Sequence, residues 1–194
     1  MDVDVLVEGL LDEEIARTVL LHCNHRMDRS LGEKNGWHSI RRRITAFNQA
    51  AAVGAPILVL VDAMDTVANC PVKTVAEWVP DRHRNLLLRF VQREIESWLL
   101  ADSEAIADFF GVAPRTIPVD PERLPDPKQA YINVARRCRN RSRRESIVPR
   151  NEERVGRLYT SETTELIKSF WRVERARHAA PSLDRTCLRL EQFV

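Results

Sequence analysis

The chain has 194 residues, of which 44% are apolar and 30% charged, and its 30 basic and 28 acidic side chains leave a net charge of +2. That composition describes a globular domain with room for a small appendage and excludes disordered, collagen-like and disulfide-scaffold chains. The longest apolar runs, such as 55–61, fall far short of the roughly 20 residues a membrane-crossing helix needs. Near the N-terminus, Asp2, Asp4 and Glu8 interrupt a short apolar run that no basic residue precedes, which is the wrong chemistry for a secretory signal. A cytoplasmic protein with no membrane partner is expected. Cys23, Cys70, Cys138 and Cys187 stand far apart with no Cys-x-x-Cys pair, so buried reduced thiols are expected rather than a thiolate zinc site.

Residues 3–7 read as a short strand, and Glu8-Gly9 follows at its carboxyl end, where glycine permits a tight turn. Over 12–23, Ile15, Val19, Leu20 and Cys23 recur at helical spacing behind an acidic first turn. The polar stretch 28–38, with Gly32 and Gly36, reads as a loop. A helix is expected over 40–52, opening on Arg41, Arg42 and Arg43 and ending at Gly54-Ala55-Pro56. The uninterrupted apolar run 57–61, closed by Asp62, suits a central strand buried on both faces. A helix leading into such a strand implies a parallel crossover. The turn Ala63-Met64-Asp65-Thr66 leads to Cys70-Pro71 and a helix over 72–78, and 86–91 is apolar enough for a third strand. Helices are expected over 94–100 and 103–110, with Gly111 as a C-cap.

This alternation predicts an α/β fold with a mostly parallel sheet flanked by helices, occupying 1–111. Prolines at 114, 118, 121, 125 and 127 make 112–127 an extended connector. The remainder, 128–194, reads as a helical, arginine-rich C-terminal part packed on the first. Its helices are expected at 128–139 and 163–179, separated by an arginine-rich stretch. Trp98 and Trp171 are assigned to core packing, because a tryptophan's large apolar area usually decides its place.

Functional groups in a parallel α/β sheet gather at the carboxyl ends of the strands. Glu8 and Asp62 end two consecutive apparent strands, Asp65 follows closely, and Glu94 and Glu96 stand where the third strand passes into its helix. Like charges a few ångströms apart raise each other's pKa, and a hard divalent cation with oxygen ligands resolves the conflict. Within one helix Glu94 and Glu96 would point about 200° apart, so one alone enters a site unless the helix starts between them.

These residues carry a resemblance. Val7-Glu8-Gly9, then Val59-Leu60-Val61-Asp62 with Asp65, then the block from Glu94 to Asp102 resemble the TOPRIM catalytic domain of topoisomerases, bacterial primases and overcoming-lysogenization-defect nucleases. With Cys70-Pro71, Asp126-Pro127-Lys128 and Ser182-Leu183-Asp184-Arg185, most of the chain is similar to a bacterial TOPRIM-like family, domain of unknown function 4276. The resemblance implies a nuclease or other phosphoryl-transfer enzyme in which Glu8 serves as general acid or base. Asp62 and Asp65 would hold Mg²⁺ or Mn²⁺, with Glu96 and Glu94 completing the cluster. It also implies a role in anti-phage defence beside an ATPase partner protein. TOPRIM domains carry Asp-x-Asp at the second strand end, whereas this chain reads Asp62-Ala63-Met64-Asp65. Methionine's thioether is a poor magnesium ligand, so a catalytically degenerate binding or regulatory module is the alternative.

Between 134 and 150 seven arginines (136, 137, 139, 141, 143, 144 and 150) face one acid, Glu145, for a local charge of +6. Arginine's planar fork suits phosphate oxygens. Arg136, Arg137, Arg139, Arg141, Arg143 and Arg144, with Lys34, Arg41, Arg42 and Arg185, are therefore the expected contacts to DNA or RNA. The competing expectation is a solvated face ion-paired to Glu152 and Glu153.

Overall fold

The structure, a computed structural model, describes residues 1–31, 36–63 and 70–192. The chain divides into two compact units, Met1–Gln92 with Arg185–Val194 and Arg93–Asp184. The sequence-based boundary at residue 111 therefore differs from the observed division after Gln92. The two helices before Gly111 pack among the helices that follow them, and so belong with the second unit.

The first unit runs β1 (Asp2–Leu6), α1 (Leu10–His22), β2 (Arg26–Ser30), α2 (Gly36–Val53), β3 (Ile57–Asp62), α3 (Pro71–Trp78) and β4 (Leu86–Val91). Its four strands form one sheet in the order β2-β1-β3-β4, and every pairing is parallel. The expected α/β class is what the chain adopts. Strand alternation divides the apolar side chains between two faces. Leu6, Val59, Val61, Leu88 and Phe90 form one core cluster with Ile40 and Ile44 of α2 and Trp78 of α3. Helix α1, with Ile15, Val19 and Leu20 buried, packs against β1, β2 and β3. Two covered faces explain why β3 is an unbroken apolar run rather than an alternating one. Each fully buried Val, Leu or Ile contributes about 1.5–3 kcal/mol.

Strand β2 corrects the expected loop at 28–38. Of its five residues only Met27 is buried, so it carries no apolar signature. Ion pairs hold it to its neighbour instead: Arg26 reaches Asp2 at 3.0 Å, and Arg29 grips the buried carboxylate of Asp4 through Nε at 3.1 Å and Nη2 at 2.6 Å. Charged side chains on an edge strand also discourage pairing with other chains.

The second unit is helical: α4 (Ile95–Ala101), α5 (Ser103–Phe110), α6 (Pro127–Ala135), α7 (Arg141–Ile147), α8 (Tyr159–Ser169), α9 (Val173–Ala176) and the start of α10 (Pro181–Glu191), whose remainder belongs to the first unit. Every residue of α4 is buried. Trp98 and Trp171 lie in the core as expected; the Trp98 indole donates to Ser182 Oγ at 2.7 Å and the Trp171 indole to the Trp98 carbonyl at 3.0 Å. Gly111 ends α5 with φ of 63°, the left-handed conformation expected of a C-cap. Asp102 caps the start of α5 through the Ala105 amide, accepts two bonds from the Arg175 guanidinium at 2.8 and 2.9 Å, and takes the Arg172 amide at 2.8 Å.

Three expectations change in this half. The proline-rich connector folds into short 3-10 turns at Pro114–Thr116 and Pro121–Arg123. The arginine-rich stretch, to which no helix was assigned, forms α7, with Asn140 accepting from the Arg143 amide as its N-cap. The helix expected over 163–179 divides instead into α8 and α9, and α10 follows it with Leu183, Cys187 and Leu190 buried at helical spacing.

Candidate active site

Strand order β2-β1-β3-β4 reverses direction between β1 and β3. The connections leaving these two strands therefore diverge to opposite faces, and the crevice between them at the carboxyl ends is where doubly wound sheets bind ligands. Glu8 and Asp62 stand there. In the register that pairs Leu6 with Val59, Glu8 continues past β1 to reach the last residues of β3. Its Oε1 accepts a hydrogen bond from the Asp62 backbone amide at 2.8 Å. The Glu8 carboxylate is thus tied to the backbone of the strand end that carries Asp62.

Two glycines shape the surroundings. A Cβ at Gly9 would come within 2.9 Å of Asp12 Oδ2, so glycine leaves room for the Asp12 carboxylate at the third position of α1. Asp12 is buried and adds an acid near the crevice, beyond the first-turn charge its position in α1 implies. The signal lay in the spacing Glu8-Gly9-x-x-Asp12, an acid directed back toward the glycine that precedes its helix. Gly36 has φ of 72° and opens α2 near Glu8, with its Cβ position 3.9 Å from Glu8 Oε2. The next residues bring aromatic surface: Trp37 stacks on His38 at 3.7 Å and on Trp78 at 6.0 Å, and the Arg41 guanidinium lies 5.7 Å from the Trp78 ring centre.

Among the described residues, no group of three His, Cys, Asp or Glu side chains is placed to hold a metal ion. Glu8 and Asp62 nonetheless suit magnesium, which commonly takes one or two carboxylates and completes its shell with water and substrate phosphate. Asp65, Met64 and Lys34 lie outside the described residues.

Glu94 and Glu96 belong to the second unit. Helix α4 begins between them, with Glu94 as an extended N-cap, and this is the condition under which both can face one group. That group is Lys128, whose ammonium stands 2.9 Å from Glu94 Oε1 and 3.7 Å from Glu96 Oε2. The Lys128 amide also donates to Glu94 Oε2 at 3.2 Å, and the Tyr159 hydroxyl donates to Glu96 Oε1 at 2.7 Å. Burial raises the Glu96 pKa, against the opposing pull of Lys128 and then of the Tyr159 hydrogen bond. Burial, followed by the Glu96 charge, pushes the Tyr159 phenol well above its ordinary value. The Lys128 ammonium balances these two acids and the Tyr159 phenol hydrogen-bonds Glu96, so their charges need no metal ion between them. Neither Lys128 nor Tyr159 was singled out as their partner, since both come from helices remote in sequence.

The basic stretch divides in two. Arg143 donates to Glu162 at 3.1 Å and to the Phe109 carbonyl at 2.6 Å, and its guanidinium lies 3.8 Å from the Phe109 ring centre. Arg144 donates to the Cys138 carbonyl, while Arg141 and Arg150 share Glu145. The partners are therefore Glu145 and Glu162 rather than Glu152 and Glu153. Arg136, Arg137 and Arg139 are exposed and form no ion pair among the described residues. In the first unit Arg41 and Arg42 are exposed on α2 and Arg185 on α10. Compared with family models, with curated proteins and with solved structures, the chain matches none.

Proposed function

We propose that the crevice between β1 and β3 is the active site of a Mg²⁺- or Mn²⁺-dependent phosphoryl-transfer enzyme, a nuclease of TOPRIM type cutting nucleic-acid phosphodiesters. One observation carries the reading: at the reversal of strand order the Glu8 carboxylate, just past β1, accepts the backbone amide of Asp62, the acid that ends the adjacent parallel strand β3. Glu8 and Asp62 would hold the ion. When bound, it neutralises charge developing on the phosphate and acidifies water. The Asp62 amide fixes the Glu8 carboxylate in place. A carboxylate so held can take a proton from an attacking water or return one to the leaving oxygen. Membership of the TOPRIM-like family, a defence role and an ATPase partner rest on the sequence resemblance alone.

The test is cleavage of labelled DNA and RNA by purified protein with Mg²⁺ or Mn²⁺. Glu8→Gln and Asp62→Asn should each lower the cleavage rate by about 10²-fold or more while circular dichroism stays that of the parent. A parent protein that cuts neither polymer, with or without a co-purifying partner, defeats the proposal. Retained strand binding in that case would leave the fold as a binding module.

A further inference from the structure

Outside the carboxylate crevice, the first unit gathers four arginines that no acid balances. Arg89 projects from β4, the edge strand of the sheet, and Arg82 precedes that strand. Arg185 and Arg189 stand one turn apart on α10, a spacing that places both side chains on one helix face. Arg89 Nε points at Thr186 Oγ1 at 3.4 Å, which ties the strand arginine to that helix. The other contacts are also neutral: Arg82 donates to the Leu86 carbonyl at 2.7 Å and Arg189 to Gln192 Oε1 at 3.4 Å. Among the described residues none of the four forms an ion pair, and the nearby Asp184 is engaged by Arg177 at 2.8 Å.

Burial depresses the Arg89 pKa, and the charges of Arg185, Arg189 and Arg82 depress it further. Arg82 is depressed by burial and then by Arg189. Like charges brought together and partly desolvated are costly unless an anion joins them. Arg89 reaches α10 at Thr186, the residue after Arg185 and three before Arg189, so guanidinium groups from the strand and the helix gather in one place. Several cations gathered in this way suit the repeated anions of a polymer better than one isolated anion, and arginine's fork matches phosphate oxygens two at a time.

We infer that Arg82, Arg89, Arg185 and Arg189 form a binding track for the phosphodiester backbone of a nucleic-acid strand. The inference rests on the proposed function for the identity of the polymer, and it assigns the grip to residues separate from Glu8 and Asp62. Of the four, only Arg185 was indicated by the sequence.

Fluorescence anisotropy with an end-labelled oligonucleotide across a salt series tests the track, with inorganic tripolyphosphate as competitor. The double substitution Arg185→Glu and Arg189→Glu should weaken binding by at least about tenfold and reduce the slope of log affinity against log salt by about two. Arg82→Gln, a milder change, should reduce that slope by about one. The measurement is made in EDTA, where no divalent ion bridges the strand to Glu8 or Asp62 and nothing is cut, so failure of the catalytic reading stays distinguishable from failure of the track. Unchanged affinity and slope in the arginine variants would overturn the inference. Binding of tripolyphosphate by a protein that binds no strand would overturn it equally.

Discussion

Glu96 is a carboxylate almost wholly withdrawn from water, with Lys128 and Tyr159 as its nearby compensation. Its pKa lies above the ordinary glutamate value of 4.5, chiefly through burial. Between the unfolded and folded values the native state holds a proton that the unfolded chain has released, so stability falls as pH rises through that window. Glu96→Gln should remove this slope, which urea unfolding midpoints measured from pH 4 to pH 8 will reveal; parallel pH profiles for parent and variant would contradict the assignment. Asp102 presents the opposite case, a buried carboxylate with every partner in place. Asp102→Ala should cost about 1–3 kcal/mol in chemical denaturation, because it leaves the Ala105 and Arg172 amides without their acceptor. At Gly156 a Cβ would strike the backbone of Ser146 and Ile147. Gly156→Ala should cost about 1–3 kcal/mol by the same measurement.

Among the elements, legibility followed hydrophobic pattern. β3 and β4 were readable because both faces of the sheet are covered and the strands are continuously apolar. β2 escaped because its attachment is electrostatic: Arg26 to Asp2 and Arg29 to Asp4. Arg29→Ala should therefore raise hydrogen exchange at the β2 amides before those of β3 and β4, and uniform exchange across the sheet would contradict that role. α7 was hidden by its charge, since only Ile147 is buried and no apolar period announces a helix. α10 did carry a period in Leu183, Cys187 and Leu190, but its arginines and acids lowered the apparent signal. Arg143, counted among the phosphate contacts, is held by Glu162 and the Phe109 carbonyl and ring, which shows how poorly an arginine's sequence context distinguishes a ligand contact from a fold contact.

At the scale of the molecule, a net charge of +2 conceals sorting. Within the first unit, Glu8 is tied to the backbone of Asp62 at the reversal of strand order, and arginines gather where β4 meets α10. The meeting of Glu8 with Asp62 was legible because parallel α/β topology sends strand ends to one edge. The enlistment of Arg82, Arg89 and Arg189 was not, because it depends on α10 rejoining the first unit after the whole of the second. The expected cluster of acids also divides by unit: Glu8 and Asp62 in the first, Glu94 and Glu96, neutralised by Lys128, in the second. The central claim thus concentrates on two residues. Crystals soaked in Mn²⁺ and measured at the manganese absorption edge test it most directly. The account predicts an anomalous peak ligated by the carboxylates of Glu8 and Asp62; the absence of a peak there, or manganese bound only at other acids, would contradict it.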